Sequence, residues 1–228
     1  MPLAGKGMLL TSMDIDPADE ADFNRWYDRE HLQERVAIDG FLEARRYVAH
    51  KGSPKYLCLY STETFDVLNS PAYRAALATP TDWSKATMAR FQNMIRAVAR
   101  ITISRGQGRG AALGMVRLRP PLEGSDELRT ALRDRLDPHG PDGIISLHLI
   151  ESDPALSKPI SEASATAGPG GGDWYVLIDG TDVDAVASLA ATRFGDAEFK
   201  PATVISTGVY TLIWDLAKSD LPLSEKST

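Results

Sequence analysis

The sequence predicts an α+β fold in which two βαββαβ units face each other through their sheets. Three observations carry that prediction. The 228 residues exceed one small domain of ordinary size. A glycine-rich stretch, Ser104-Arg105-Gly106-Gln107-Gly108-Arg109-Gly110, interrupts the chain near its middle. The same order of strand and helix patterns is then read on either side of it. Residues 1–105 form the first unit, 106–110 a linker, 111–217 the second unit and 218–228 a tail, each unit having about 105 residues, a usual size for one small domain.

The first unit opens with the apolar run Gly7 to Ile15, read as a strand. Asp16-Pro17 resembles an N-cap followed by proline at the first helical position, so a helix is placed from about Pro17 to Ala37, ended by Asp39-Gly40. Phe41 to Ala49 and Tyr56 to Ser61 are strands joined by the turn His50-Lys51-Gly52-Ser53-Pro54. A helical region broken at Ser70-Pro71 and Thr79-Pro80 follows, and Arg96 to Ser104 alternates as a fourth strand. In the second unit Ala112 to Leu118, Ile144 to Ile150, Trp174 to Ile178 and Thr203 to Trp214 are strands, with helices over Ser125 to Leu136 and Asp182 to Thr192. The loop 152–173 is rich in Gly, Ala and Ser, which cannot fill a core, and is expected to be a mobile hairpin insertion or a lid.

A βαββαβ order lays two helices on one face of an antiparallel sheet and leaves the other apolar face bare. Two units in one chain can cover each other sheet on sheet, as an internal pseudo-dimer closed into an α+β barrel. The alternative is separate ferredoxin-like units, each covered by dimerisation between molecules. The chain is therefore expected as a monomer with an internal pseudo-dimer, or as a homodimer.

Composition narrows the chemistry. With 43% hydrophobic and 25% charged residues the chain can build a sizeable core. No apolar run approaches the roughly 20 residues of a membrane helix, and a secretory leader is not seen, so a soluble, cytoplasmic protein with no membrane partner is expected. The net charge of −6 argues against nucleic acid as a partner. Cys58, the one cysteine, excludes an internal disulfide and reads as an inert packing residue. His50, His139 and His148 lack the spacing of a metal site, and no phosphate loop, dinucleotide or nucleophile-elbow motif occurs, so neither metal nor cofactor is expected.

One helix does not resemble a core helix. Within Asp22 to Leu32, taking Phe23 as zero at about 100° per residue, Tyr27 falls near 40°, Glu30 near −20°, His31 near 80° and Trp26 near −60°. Aromatic and ionisable groups share one arc, whereas the matching helix of the second unit presents aliphatic Leu128, Ala131, Leu132 and Leu136. His31 is the candidate for proton transfer, because an ordinary imidazole titrates near neutrality. Glu30, Glu34 or Asp28 could orient it, and Tyr27 could donate to a carbonyl or developing enolate. The plainer alternative is that His31 caps its helix while the acids are solvated. On the second strand Glu43, Arg45 and Tyr47 alternate with Leu42, Ala44, Arg46 and Val48; on the third, Tyr56, Cys58 and Tyr60 alternate with Leu57 and Leu59. Which set meets the helices is open at this stage. Arg45 or Arg46 near Tyr60 could hold a carboxylate or phenolate. Trp83, Phe91 and Met94, at helical spacing, are expected in the core.

The pattern Phe23-x-x-Trp26-Tyr27-x-x-Glu30-His31-Leu32, followed by Asp39-Gly40-Phe41 and the strand residues Arg45-Arg46-Tyr47, resembles the dimeric α+β barrel superfamily, especially EthD-like proteins. It covers residues 7–104; the second unit shares only the layout. Asp39 stands where such relatives often have proline. The resemblance implies a ferredoxin-like unit, here fused in tandem, within a superfamily of cofactor-free monooxygenases, polyketide cyclases, lactone isomerases and haem-binding proteins. The function expected is acid/base chemistry, without cofactor, on a small aromatic or polyketide-like carbonyl or phenol compound. His31, Tyr27 and Glu30 would be catalytic, and Phe23, Trp26, Arg45, Arg46 and Tyr60 would bind. The alternatives are a haem-binding or haem-modifying protein, with a histidine on iron, and a small-ligand-binding protein without turnover.

Overall fold

A computed structural model describes residues 3–158, 170–195 and 201–222. Eight strands form a closed antiparallel barrel: β1 (Gly7–Asp14), β2 (Phe41–Lys51), β3 (Tyr56–Thr62), β4 (Gln92–Gly106), β5 (Ala112–Arg119), β6 (Ile144–Ser152), β7 (Trp174–Gly180) and β8 (Thr203–Ala217). Around the ring they run β1-β3-β2-β8-β5-β7-β6-β4. The first four strands make one continuous half and the last four the other, each in the order fourth-first-third-second. The halves meet at two equivalent seams, β2 with β8 and β4 with β6. The chain thus covers its own bare sheet faces, and the alternative of separate units covered between molecules does not apply to these faces.

Closure gives most strands two buried faces. Both β3 and β7 are buried at every residue, which is why they read as unbroken apolar runs. The alternating part of β4 is different: Arg100, Thr102 and Ser104 are exposed and take turns with buried Ile101 and Ile103. Inside the barrel, Met8, Leu10, Leu57 and Leu59 of the first half meet Met115, Ile150, Leu177 and Tyr210 of the second. Outside, each half has its own helix layer. That of the second half is largely aliphatic, with Leu128 and Leu132 of α5 (Ser125–Arg135) and Val186 and Leu189 of α6 (Val183–Phe194), joined by Phe194 and Trp174.

The first-half layer departs from the sequence expectation in its main helix. The segment begins at Glu20, not Pro17, because the Asp16 carboxylate accepts the Ala18 N–H at 2.9 Å and closes a turn before the helix starts. It consists of α1 (Glu20–Trp26), a π-helical turn Tyr27–His31 and α2 (Leu32–Ala37). The next helical region is a 3-10 turn Phe65–Asn69, α3 (Pro71–Ala78) capped by Ser70, and α4 (Asp82–Met88) capped by Thr81. Phe91 lies beyond α4 and Met94 is already in β4, so their apparent helical spacing with Trp83 is accidental; all three pack against the first-half layer.

Gly106 ends β4 at φ +88°, where an added Cβ would sit 2.2 Å from the Ile145 carbonyl oxygen, so the glycine is required by the close passage of β6. Of the expected loop 152–173, residues 159–169 lie outside the described residues, as do 223–228 of the tail. At the loop's far end Asp173 is buried and accepts from Arg117 at 2.6 Å and Arg119 at 3.0 Å.

The interior contacts make a direct expectation. Leu177→Ala, at a side chain with no exposure, lowers unfolding stability in urea by about 2–5 kcal/mol. Leu122→Ala, at a fully exposed position, changes it by less than about 0.5 kcal/mol.

Candidate active site

A cavity opens between the first-half sheet and its helices. Its floor is β1 and β3, through Leu9, Thr11, Met13 and Tyr60. One wall is the long helical segment, through Trp26, Tyr27, His31 and Arg35; the other is Tyr73 and Leu77 of α3, Met88, Phe91, and Met94 and Arg96 of β4. It leaves about 60 Å³ of room for a guest and about 450 Å³ of free space when the open mouth is counted.

The π turn sets the geometry of this wall. On a regular α-helix Trp26 and His31 would point about 140° apart. Here the Leu32 N–H bonds to the Tyr27 carbonyl, five residues back, and the extra residue brings i and i+5 over one another. The indole and imidazole consequently stack, with ring centroids 4.1 Å apart and planes 27° apart. Tyr27 meets the imidazole edge-on at 5.2 Å.

His31 is nearly buried, and its Nδ1 has no hydrogen-bond partner. Burial, reinforced by the Arg35 and Arg46 cations, holds its pKa well below the ordinary value of 6.5, so at pH 7 the ring is neutral with a lone pair available, though as a weaker base than a free imidazole. Burial pushes the Tyr27 and Tyr60 hydroxyls well above their usual range, so both remain protonated donors. The Tyr60 hydroxyl and the Thr11 Oγ1 are also buried without partners. Three unpartnered polar atoms thus belong to residues of one apolar cavity, although each such atom costs about 1–3 kcal/mol. Native interiors satisfy nearly all such groups; the other buried atoms without partners, Glu43 Oε1, Arg45 Nη2, Arg46 Nε, Thr87 Oγ1 and Asp179 Oδ2, belong to residues that do not line this cavity.

The other expected site residues are distributed differently. Glu30 turns away from the cavity and accepts from Trp26 Nε1 at 3.2 Å, Thr81 Oγ1 at 2.6 Å and Ser84 Oγ at 3.2 Å, so it fixes the indole and ties the helix to α4. None of the three acids bonds to His31: Asp28 pairs with Arg46 at 2.9 Å, and Glu34 lies on the exposed side. Phe23 stands behind Tyr27, with ring centroids 5.0 Å apart, and does not line the cavity. Arg46 lies over the Tyr27 ring at 4.2 Å and donates to Asn24 at 2.6 Å, so it stiffens Tyr27 from behind.

Arg45 is on the opposite face of β2, inside the barrel, and the expectation that it sits with Tyr60 is corrected: successive strand residues point to opposite faces, and closure buries both. There it donates to Tyr47 Oη at 3.0 Å and Asp179 Oδ1 at 3.4 Å and lies 3.8 Å from Glu43. His148 adjoins this cluster, 3.5 Å from Asp179 and bonded to Ser104 and Ser146. Cys58 is fully buried, and burial pushes its thiol up.

Arg35, Thr11, Tyr73 and Arg96 are cavity residues that the sequence reading did not single out. Arg35 was accessible to it, as the i+4 neighbour of His31; the others come from separate elements and carry no local signal. Among the described residues no group of three His, Cys, Asp or Glu side chains could hold a metal ion, and no helix is long and apolar enough to cross a membrane.

No family model and no curated protein matches the sequence. Solved structures share the fold. An anthrone oxidase-like protein superposes with TM-score 0.66 at 9% identity, covering 96% of this chain and 95% of its own. A candidate monooxygenase from Lactobacillus acidophilus gives 0.57 at 10%, covering 94% and 97%. A haem-binding protein from Thermus thermophilus gives 0.52 at 10%, covering 93% and 92%. At such identities the likeness is one of architecture, the ferredoxin-like α+β barrel.

Two measurements probe these environments. Arg45→Met strips Asp179 of its buried cation, while Glu43 keeps Arg109 at 2.8 Å, and lowers stability in denaturant by about 3–5 kcal/mol; a loss under about 1 kcal/mol would show that the cluster is solvated. For His31, the unfolded chain takes up a proton as pH falls through about 6.5 while the folded ring stays neutral, so stability declines from there down to the folded pKa. His148, also depressed by burial, adds to the decline. The drop in urea midpoint from about pH 7 to about pH 5 should therefore be smaller in His31→Phe than in the unmodified protein.

Proposed function

We propose that the chain is an acid/base enzyme whose substrate is a small aromatic or polyketide-like compound bearing a phenol or an enolisable carbonyl. The observation that carries this reading is the trio of unpartnered polar atoms, His31 Nδ1, Tyr60 Oη and Thr11 Oγ1, on residues of one apolar cavity. Neutral His31 removes the proton from the phenol oxygen or from the carbon beside the carbonyl and becomes an imidazolium; the electron pair left on the substrate forms a phenolate or enolate. The donors to that oxygen are the unpartnered Tyr60 hydroxyl and the Tyr27 hydroxyl, which gives up its weak acceptor Met13 Sδ at 3.8 Å. Trp26 supports the imidazole by stacking, and Glu30 supports Trp26. Cyclisation, isomerisation and oxygenation all proceed from such an anion. The EthD-like motif of the first half supports this reading, as do neighbours described as monooxygenase and anthrone oxidase-like. Residues 1–105 and 111–217 are read as fused units, with the site in the first alone.

Size bounds the substrate. A dry cavity of about 150 Å³ is needed to admit benzene, so even a single ring enters only as Leu77, Met88 and Met94 shift, for which flexible methionines are suited. A haem macrocycle is far larger than the room available beside His31, which speaks against His31 as its ligand in this cavity.

Solvent-deuterium exchange into phenylacetone, followed by proton NMR, isolates proton removal from whatever step comes next. The unmodified protein should accelerate exchange at the carbon between ring and carbonyl, with the rate held to well below pH 6.5 because His31 remains neutral there. His31→Phe and His31→Gln should each lower it by about 100-fold or more, and Tyr27→Phe by less. Exchange no faster than in buffer, or equally fast in folded His31 variants, would overturn the reading.

A further inference from the structure

The cavity has an unusual charge balance for a protein of net charge −6. Two arginines line it, Arg35 and Arg96, and no aspartate or glutamate does. Arg96 is committed: its Nη1 donates to the carbonyls of Leu156 at 2.7 Å and Lys158 at 3.2 Å, and its Nη2 to Tyr73 Oη at 3.4 Å. Arg35 is not. It is 6% exposed; its carbonyl accepts the Ile38 N–H at 3.2 Å, but among the described residues its side chain has no hydrogen bond and no ion pair. Its nearest acids in sequence are engaged or turned outward, with Glu30 on Thr81 and Ser84 and Glu34 exposed. The Arg35 nitrogens are not among the fully buried atoms that lack partners, so they keep some contact with solvent, and the planar fork of five donors that a guanidinium presents is free to engage an anion entering the cavity.

We infer that the cavity takes its ligand as a single-ring organic anion, a phenolate, enolate or carboxylate, whose charge is met by Arg35. The inference rests on the cavity being the ligand site and adds the class of ligand and the residue that selects it. Arg35 is one helical turn beyond His31 on the same face, so the cation meets the charge that proton removal creates. The same cation, after burial, helps to hold His31 neutral and so makes it a weaker base, an effect that a substrate anion seated against Arg35 offsets by neutralising the cation as the imidazolium forms.

4-Nitrophenol, which ionises near neutrality to a coloured phenolate, and 4-nitroanisole, its neutral methyl ether, separate binding in the cavity from the preference of Arg35 for an anion. Calorimetric titration and the visible absorbance of the bound phenolate are read for the unmodified protein, Arg35→Met and Arg35→Lys. The expected result is tighter binding of the phenol than of the ether by at least about tenfold, with the bound phenol driven toward its anion; loss of that preference in Arg35→Met with ether binding retained; and recovery of much of it in Arg35→Lys. Equal binding of phenol and ether by the unmodified protein, or a preference unchanged in Arg35→Met, overturns the role of Arg35 while leaving the cavity as a ligand site. Binding of neither compound overturns the cavity reading itself, and with it this inference.

Discussion

Two seams, β2 against β8 and β4 against β6, turn eight strands into a ring with no free sheet edge. Because the ring is closed, each strand has an inner face that meets the opposite half and an outer face that meets helices or solvent. Everything chemical in the chain follows from which face a residue takes. Arg45 and Arg46 are adjacent in sequence, yet one is locked among Tyr47, Asp179 and Glu43 inside the barrel and the other lies over Tyr27 in the helix layer. The halves also divide the work unequally: the outer layer of the second is largely aliphatic, and that of the first holds the cavity.

Within that first layer the π turn at Tyr27–His31 is the decisive local departure. A regular helix would bury Trp26 and leave His31 on a neighbouring face; the extra residue stacks the imidazole on the indole and presents it to the cavity. Glu30 then secures Trp26 from one side and Arg46 with Phe23 secures Tyr27 from another. The groups facing the cavity are accordingly positioned by neighbours whose polar atoms are largely satisfied, whereas the cavity residues His31, Tyr60 and Thr11 each keep an unsatisfied atom. The barrel-interior cluster of Arg45, Glu43 and Asp179 also keeps unpartnered atoms, but there they lie among opposite charges, whereas those of the cavity residues lie in apolar surroundings.

Much of the architecture was legible because it is written in short-range patterns. Apolar runs punctuated by Asp39-Gly40, by Gly52 and Pro54, and by the 104–110 glycines locate all eight strands to within a few residues, and the bare sheet face of a βαββαβ unit demands a partner. The aromatic and ionisable arc of the first helix pointed to its cavity-lining side through Trp26, Tyr27 and His31. The arc also included Glu30 and Phe23, because a helical wheel records direction and not contact; one ties elements together and the other backs an aromatic ring.

By itself the sequence determined the order of elements, the pairing of two like halves and the unequal character of their helices, since each depends on spacing along a few residues. The tertiary structure alone decided which of two adjacent arginines faces inward, that Trp26 and His31 stack, and that Arg35 stands in a cavity without a carboxylate. Those facts depend on ring closure, on one inserted helical residue and on the convergence of β1, β3, β4 and three helical segments. Burial and pairing of charge are properties of the assembled neighbourhood, and no local pattern of residues encodes them.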